Sequence, residues 1–397
     1  MKQPVLIAFV FLLMPIANAQ LYSITDLGSL SPTAVNTWGQ VVGSRNGHAS
    51  IWTRWSGTRD LGTLPGGTFS SAAAINDLGV VTGIADGPGT AVSPYPGTPN
   101  LACGDLIEPV VWKKGRIRAL GTLGFGFGDP DWCNYPFYPT AMNGLGQIVG
   151  YSSQYPNEFQ WGFFWTNGIS ANLPVSFVLS ANGMGLFGGS WPPTFSNAVS
   201  NTQQVVGQDG VFFTQGHATS WKNGVSTDLG SLAGSDAVFY SSSANSVNDL
   251  GQVVGWSTTI PLEDPSPCYE PVPSNCPIHA VVWTQNIAIN DLGTLPGDSV
   301  STAVKINLFG LVIGSSGNSV MSPEEGIAIP FLGPLQVVGR PFIWSKESGM
   351  RDLNTLIPSN AGWVLNSVSD LNVWGQIVGL GTLNGQPHGF LLTPRNL

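Results

Sequence analysis

The sequence predicts an all-β fold: a β-propeller of seven four-stranded blades, or eight if one degenerate unit counts. Three observations carry that expectation. The chain has 51 Gly and 30 Pro in 397 residues, too many helix breakers for long helices. Three short phrases recur in a fixed order along nearly the whole chain. Each phrase sets turn chemistry beside a short apolar run, the signature of hairpins. A unit of about four short strands cannot bury both faces of its sheet alone, so units must stack, and radial stacking gives a propeller.

The first element is a leader. Lys2, the apolar run Val5 to Met14 and the small-x-small signal Ala17-Asn18-Ala19 read as an export signal over residues 1–19, with residues 20–397 as a single repeat domain. The run is shorter than the roughly 20 apolar residues that span a bilayer. A secreted or periplasmic protein without a membrane anchor is expected. Cys103, Cys133, Cys268 and Cys276 fit an oxidising compartment. Cys268 and Cys276 share one insertion and are expected to form a local bridge. Cys103 and Cys133 are then expected to pair between two neighbouring loops.

The repeat follows. Its first phrase is an apolar residue, Asn, two residues, Gly, then an apolar run ending in Gly. It reads Val35 to Gly43, Ile75 to Gly83, Met142 to Gly150, Val247 to Gly255, Ile306 to Gly314 and Leu371 to Gly379. Degraded copies cover 200–207 and 182–189. Asn tolerates unusual backbone angles and Gly supplies positive φ, so each copy is a tight hairpin followed by a β-branched strand. The second phrase is a strand ending at Trp52, Trp112, Trp165, Trp221, Trp283 or Trp344. The third, Asp-Leu-Gly-x-Leu, begins at Asp26, Asp60, Asp228 and Asp291, with variants at Ala119 and Asp352. The last unit ends without its third phrase, and Tyr22 to Leu27 supply an orphan copy before any unit begins. The ring is therefore expected to close by pairing the N-terminal strand beside Phe390, which hides two sheet edges.

Taken together, the Asn-x-x-Gly hairpin, the His-Ala-x-x-Trp strand and Asp-Leu-Gly-Thr-Leu resemble the bacterial extracellular HAF repeat family. His48-Ala49, His217-Ala218 and His279-Ala280 carry its name-giving pair, and His388-Gly389-Phe390 is a close variant. The resemblance implies an exported repeat protein and brings no established catalytic residues. The chain departs from the pattern around 171–200, where no clear Trp strand follows Asn182, and at Gln336 to Gly339, where the strand phrase repeats inside an insertion.

Function is less legible. Charged residues are 9% of the chain and net charge is −9, so no broad basic surface for nucleic acid is expected. No Gly-x-Ser-x-Gly elbow, His-Glu-x-x-His or phosphate loop is present. Gly124 to Gly128 lacks the rest of a dinucleotide site. No metal site or cofactor is expected. The four His sit at one repeat position, which points to a structural hydrogen bond in each unit. Lys113, Lys114, Arg116 and Arg118 read as a solvated hairpin.

The insertions are more informative. Residues 84–108, 151–161, 256–278 and 315–340 fall between second and third strands, and 124–139 between a fourth strand and the next unit. In an antiparallel unit all of these emerge on one face, the expected recognition face. Trp132, Tyr135, Phe137 and Tyr138, with Trp161 and Trp256 on neighbouring insertions, are the candidate ligand-binding residues. A satellite core that orders a long loop is the competing account of the same aromatics. The expected function is non-catalytic binding of an extracellular glycan or protein. The alternative is a propeller glycoside hydrolase or polysaccharide lyase, for which Asp105, Glu108, Asp129, Asp131, Glu263, Asp264, Glu270, Glu324 and Glu325 supply carboxylates.

Overall fold

The computed structural model describes residues 21–87, 107–120, 137–154, 159–166, 169–172, 194–211, 215–223, 225–234, 241–260, 277–284, 288–321 and 336–395. These form seven four-stranded antiparallel sheets. Blades 1 to 6 occupy residues 31–60, 70–119, 137–172, 194–228, 242–293 and 300–352, each running in order from its innermost to its outermost strand. The innermost strands are Ser31–Val35, Ser70–Ile75, Phe137–Met142, Thr194–Val199, Ser242–Val247, Val300–Ile306 and Trp363–Leu371. Each contacts the next, and the seventh contacts the first, so the ring is closed.

Blade 7 is built from both ends of the chain. Trp363–Leu371, Ile377–Leu383 and Gln386–Pro394 supply three strands, and Tyr22–Asp26 supplies the outermost. Tyr22 opposes Pro394 and Asp26 opposes Phe390 in antiparallel register, which is the closure the orphan phrase predicts.

The conserved spacing within each unit has a steric cause. In blade 1, Pro32 opposes Gly43 and Ala34 opposes Val42, leaving Thr33 as a bulge. The bulge presses the innermost strand onto its neighbour, and a Cβ on Gly43 would overlap the Ser31 carbonyl oxygen. Gly83, Gly255, Gly314 and Gly379 face the same obstruction from Ser71, Ser243, Thr302 and Ser367. The bulged residue then reaches sideways. The Thr33 hydroxyl donates to the Ala72 carbonyl at 2.9 Å, and Asn245 Nδ2 to the Ala303 carbonyl at 2.8 Å. Each link ties a blade to the next.

The hairpin Asn links blades as well. Asn36 Oδ1 accepts from the Trp38 and Gln40 N–H groups, while its Nδ2 donates to Gln40 Oε1 and the Asn76 carbonyl. Asn248 donates to the Asn307 carbonyl, and Asn372 to the Asn36 carbonyl across the closure. Apolar packing does the rest. Trp112, Trp165, Trp221 and Trp283 are buried, and the clusters they join draw on adjacent blades.

One pair departs from the repeat. The position occupied by Ala34, Ala74, Ala141, Ala198 and Ser246 holds Lys305 in blade 6 and Asp370 in blade 7. Their charged atoms lie 3.2 Å apart. Buried Asp370 also accepts the Val35 N–H of blade 1 at 2.8 Å, so one carboxylate joins three consecutive blades at the closure.

Several insertions are shorter than the repeat suggests, because strands extend beyond the blade core. Trp161 lies on Phe159–Thr166, Trp256 on Val253–Thr258, and Phe137 and Tyr138 on Phe137–Met142. Gln336 to Gly339 is likewise the start of the strand Gln336–Ser345, paired with Val312–Met321. It adds length to blade 6 and no eighth unit.

Candidate functional site

Strand direction divides the molecule into two faces. The hairpins joining first to second and third to fourth strands lie on one, the turn face. Connections from second to third strands, and from each blade to the next, lie on the other, the loop face. The long insertions all attach there, as expected.

Around the loop face runs a set of paired side chains. His48 Nδ1 lies 2.6 Å from Asp60, His217 2.8 Å from Asp228, and His388 2.7 Å from Asp26. His279 lies 2.9 Å from Asp291. Each of these Asp residues also accepts the N–H two residues on, from Gly28, Gly62, Gly230 or Gly293, which shapes the turn. At His48, Nε2 additionally meets the Thr68 carbonyl at 3.1 Å. The Asp60 hydrogen bond holds the His48 pKa above its ordinary 6.5.

Where the acid is absent, so is the His. Blade 2 carries Glu108 and Ala119 at these positions, and blade 3 carries Trp161 and Asn172. Blade 6 substitutes an arginine for the His. Arg340 stands in the His position, with Nη1 3.4 Å from Asp352 and Nη2 2.9 Å from Asp298 and 3.1 Å from the Pro296 carbonyl. Asp298 Oδ2 also accepts from the Ser316 hydroxyl.

Arg340 opens onto a cleft of about 510 Å³ between blades 6 and 7, lined also by Asp352, Asn354, Ser359, Trp363, Val364 and Asn366. A short 3-10 turn, Leu353–Leu356, shapes one wall. Asp352 caps it by accepting the Asn354 N–H, and Asn354 grips both backbone groups of Leu365. Trp363 packs edge-on against His388 and Phe390, which fixes its plane. Val364 and Asn366 are exposed. The cleft is open and sets Trp363 beside polar groups held in place by these bonds. Its lining carries one carboxylate, Asp352, and one guanidinium, Arg340.

The expected aromatic site is not assembled among the described residues. Tyr138 is 6% exposed and packs on Tyr151 with Ile84 and Ile107, and burial pushes both phenol pKa values up. Trp256 is 5% exposed, packed with Ile278, Val300 and Val337. Neither can stack on a ligand, and both correct the expectation in favour of the satellite core. Phe137 and Trp161 are placed on their strands only by backbone. Trp132, Tyr135 and Cys103, Cys133, Cys268 and Cys276 lie outside the described residues, as do most of the insertion acids. Glu108 is described, half-buried on the third strand of blade 2. Among the described residues no group of three or more His, Cys, Asp or Glu could hold a metal ion.

Sequence inspection missed Arg340 and Trp363. The signal for Arg340 was available: aligning the units places an arginine where four others carry His.

These features define a seven-bladed β-propeller closed by its N-terminal strand, with a cleft on the loop face. No family model and no curated protein matches the chain. Among solved structures the chain is similar to an oligogalacturonate lyase in complex with manganese, at a TM-score of 0.50 and 10% identity over 94% of each chain. It is also similar to a gluconolactonase from Xanthomonas campestris, at a TM-score of 0.36 and 9% identity, covering 95% of this chain and 92% of that one. A Trypanosoma rangeli sialidase aligns at a TM-score of 0.36 and 10% identity, over 94% of this chain and 58% of that chain. At these identities the likeness is one of fold.

Proposed function

We propose that this chain is an exported propeller that binds a hydroxyl-rich, uncharged oligosaccharide in the cleft between blades 6 and 7. One observation carries the proposal: Trp363, Arg340 and Asp352 line the same open cleft, and Asp298 anchors Arg340. Sugar hydroxyls bind well to donors and acceptors already held in place, and a sugar ring's apolar face stacks on indole. One guanidinium against one carboxylate leaves the lining without net charge, which favours an uncharged sugar over an acidic one. Export rests on the leader and on the resemblance to HAF repeats.

A titration with neutral plant and bacterial oligosaccharides, followed by calorimetry, tests it. Saturable binding is expected, weakened about tenfold or more by Trp363→Ala, the loss of one central aromatic anchor. Asn366→Ala, at an exposed position, should weaken binding without lowering the melting temperature. Binding that survives both substitutions unchanged contradicts the proposal.

The second reading is a glycoside hydrolase or polysaccharide lyase. It is favoured by the fold likeness to the oligogalacturonate lyase, which extends over 94% of both chains. Release of shortened products from galacturonate oligosaccharides would select it over binding alone.

A further inference from the structure

The turn face carries a second surface that hairpin chemistry does not explain. The Asn-x-x-Gly turn needs its Asn and Gly, while the residue before Gly is under no backbone demand. Yet Trp38, Leu78, Leu145, Leu250, Phe309 and Trp374 occupy that position in six of the seven blades, and all are more than half exposed. Trp38 and Phe309 are each 75% exposed. Because every tip ends an innermost strand, the six form an annulus around the central channel.

The annulus is held rigid. The Trp38 indole N–H donates to the Asp77 carbonyl, and the Thr37 N–H to the Asp77 carboxylate. The Gly144 N–H donates to Asn201, and Asn201 donates to Asp249. Neighbouring tips are therefore tied together. Outside the annulus, the turns between third and fourth strands display Arg54, Lys113, Lys114, Arg116, Lys222 and Lys346, all exposed, and Trp55, which is 91% exposed beside Arg54. On a chain of net charge −9, six of the thirteen Lys and Arg among the described residues sit on these turns. Its acids among the described residues are Asp77, Asp249 and Glu347, and the first two are engaged in linking tips.

We propose that the turn face docks peripherally on an anionic bilayer surface. Tryptophan and leucine tips insert at the headgroup level, and the basic rim meets lipid phosphates. A second copy packed face to face would oppose two basic rims. A peptide partner would need a groove, whereas the annulus presents separate tips pointing one way. A soft planar surface accommodates all six at once.

Co-sedimentation of residues 20–397 with phosphatidylcholine vesicles, with and without phosphatidylglycerol, tests the assignment. Partitioning should be about tenfold or more stronger on the anionic vesicles and should weaken as salt is raised. Trp38→Ser/Phe309→Ser/Trp374→Ser and Lys113→Glu/Lys114→Glu should each reduce it about tenfold, with melting temperature and oligosaccharide binding unchanged. Equal partitioning on neutral vesicles, or full retention by the variants, overturns the proposal. So does self-association that the apolar-tip variant abolishes in the absence of any vesicle binding.

Discussion

His388 Nδ1 lies 2.7 Å from Asp26 Oδ1, a contact between residues 362 positions apart. It reproduces, across the closure, the pairing that His48 makes with Asp60 only twelve residues away. The N-terminal strand is thus a full member of blade 7. Deleting residues 21–27 strips buried Tyr22 and Leu27 and bares the edge of Gln386–Pro394, so melting should fall sharply and aggregation rise. His388→Ala should cost less than about 1 kcal/mol, because both side chains are partly solvated. Thermal unfolding of the two variants checks the contrast, and an unchanged melting temperature for the truncation would argue against closure.

The glycine ending each hairpin phrase can be tested against the glycine within it. Gly83→Ala drives a methyl into the Ser71 carbonyl, and overpacking of that kind costs roughly 1–3 kcal/mol. Gly79→Ala meets only Gln40 Oε1, at 3.9 Å, but must hold φ near +69°, which costs about 1 kcal/mol. Denaturant titration should rank Gly83→Ala as the more harmful. The reverse order would count against the bulge as the cause of the repeat.

Stability should bend with pH at both ends. Burial alone would raise Asp60, Asp86 and Asp291, but their hydrogen bonds override it and hold all three below the ordinary 3.8. For Asp60 and Asp291 the donors are His48 with the Gly62 N–H, and His279 with the Gly293 N–H. For Asp86 they are Thr68 and the Phe69 N–H. Depressed carboxylates contribute stability present above the unfolded value and lost as pH falls through the lower folded one. The acid loss therefore lies below about pH 3.8. His48 is raised, so its contribution is full below pH 6.5 and is lost as pH rises through its higher folded value. Melting curves across pH should show both limbs. Asp86→Asn should flatten the first and His48→Gln the second.

Much of this architecture was legible because each repeated residue has a local job. Asn36 and Gly39 make one hairpin, and Asp60 shapes one turn, so their recurrence marks units directly. The orphan Tyr22 to Leu27 phrase announced the closure for the same reason. The site was less legible. Tyr138 and Trp256 break the repeat just as a ligand platform would, but they do so because strands lengthen and need packing above the blade core. Composition cannot separate those causes. Arg340 and Trp363 come together only when blades 6 and 7 are adjacent in space. Trp38 and Trp374 sit between the Asn and Gly that make their hairpins, and turn chemistry says nothing about the residue held between them.

Asp370 should matter more than Lys305. Asp370→Ala leaves the Val35 N–H without its acceptor and Lys305 without its counter-ion, a loss of roughly 2–4 kcal/mol. Lys305→Met leaves the carboxylate its backbone donor, and the smaller effect should be about 1–2 kcal/mol. Urea midpoints of the two variants and the double variant give the coupling. Equal and additive losses would mean that the three blades are not joined through this carboxylate.

The central claim concerns the cleft on the loop face, and a glycan array read for both retention and product release tests it most directly. Wild-type protein should retain neutral oligosaccharides, and Trp363→Ala and Arg340→Gln should lose them while the propeller remains folded. An array on which no glycan is retained or cleaved, or on which both variants behave as wild type, would contradict the assignment of function to this cleft.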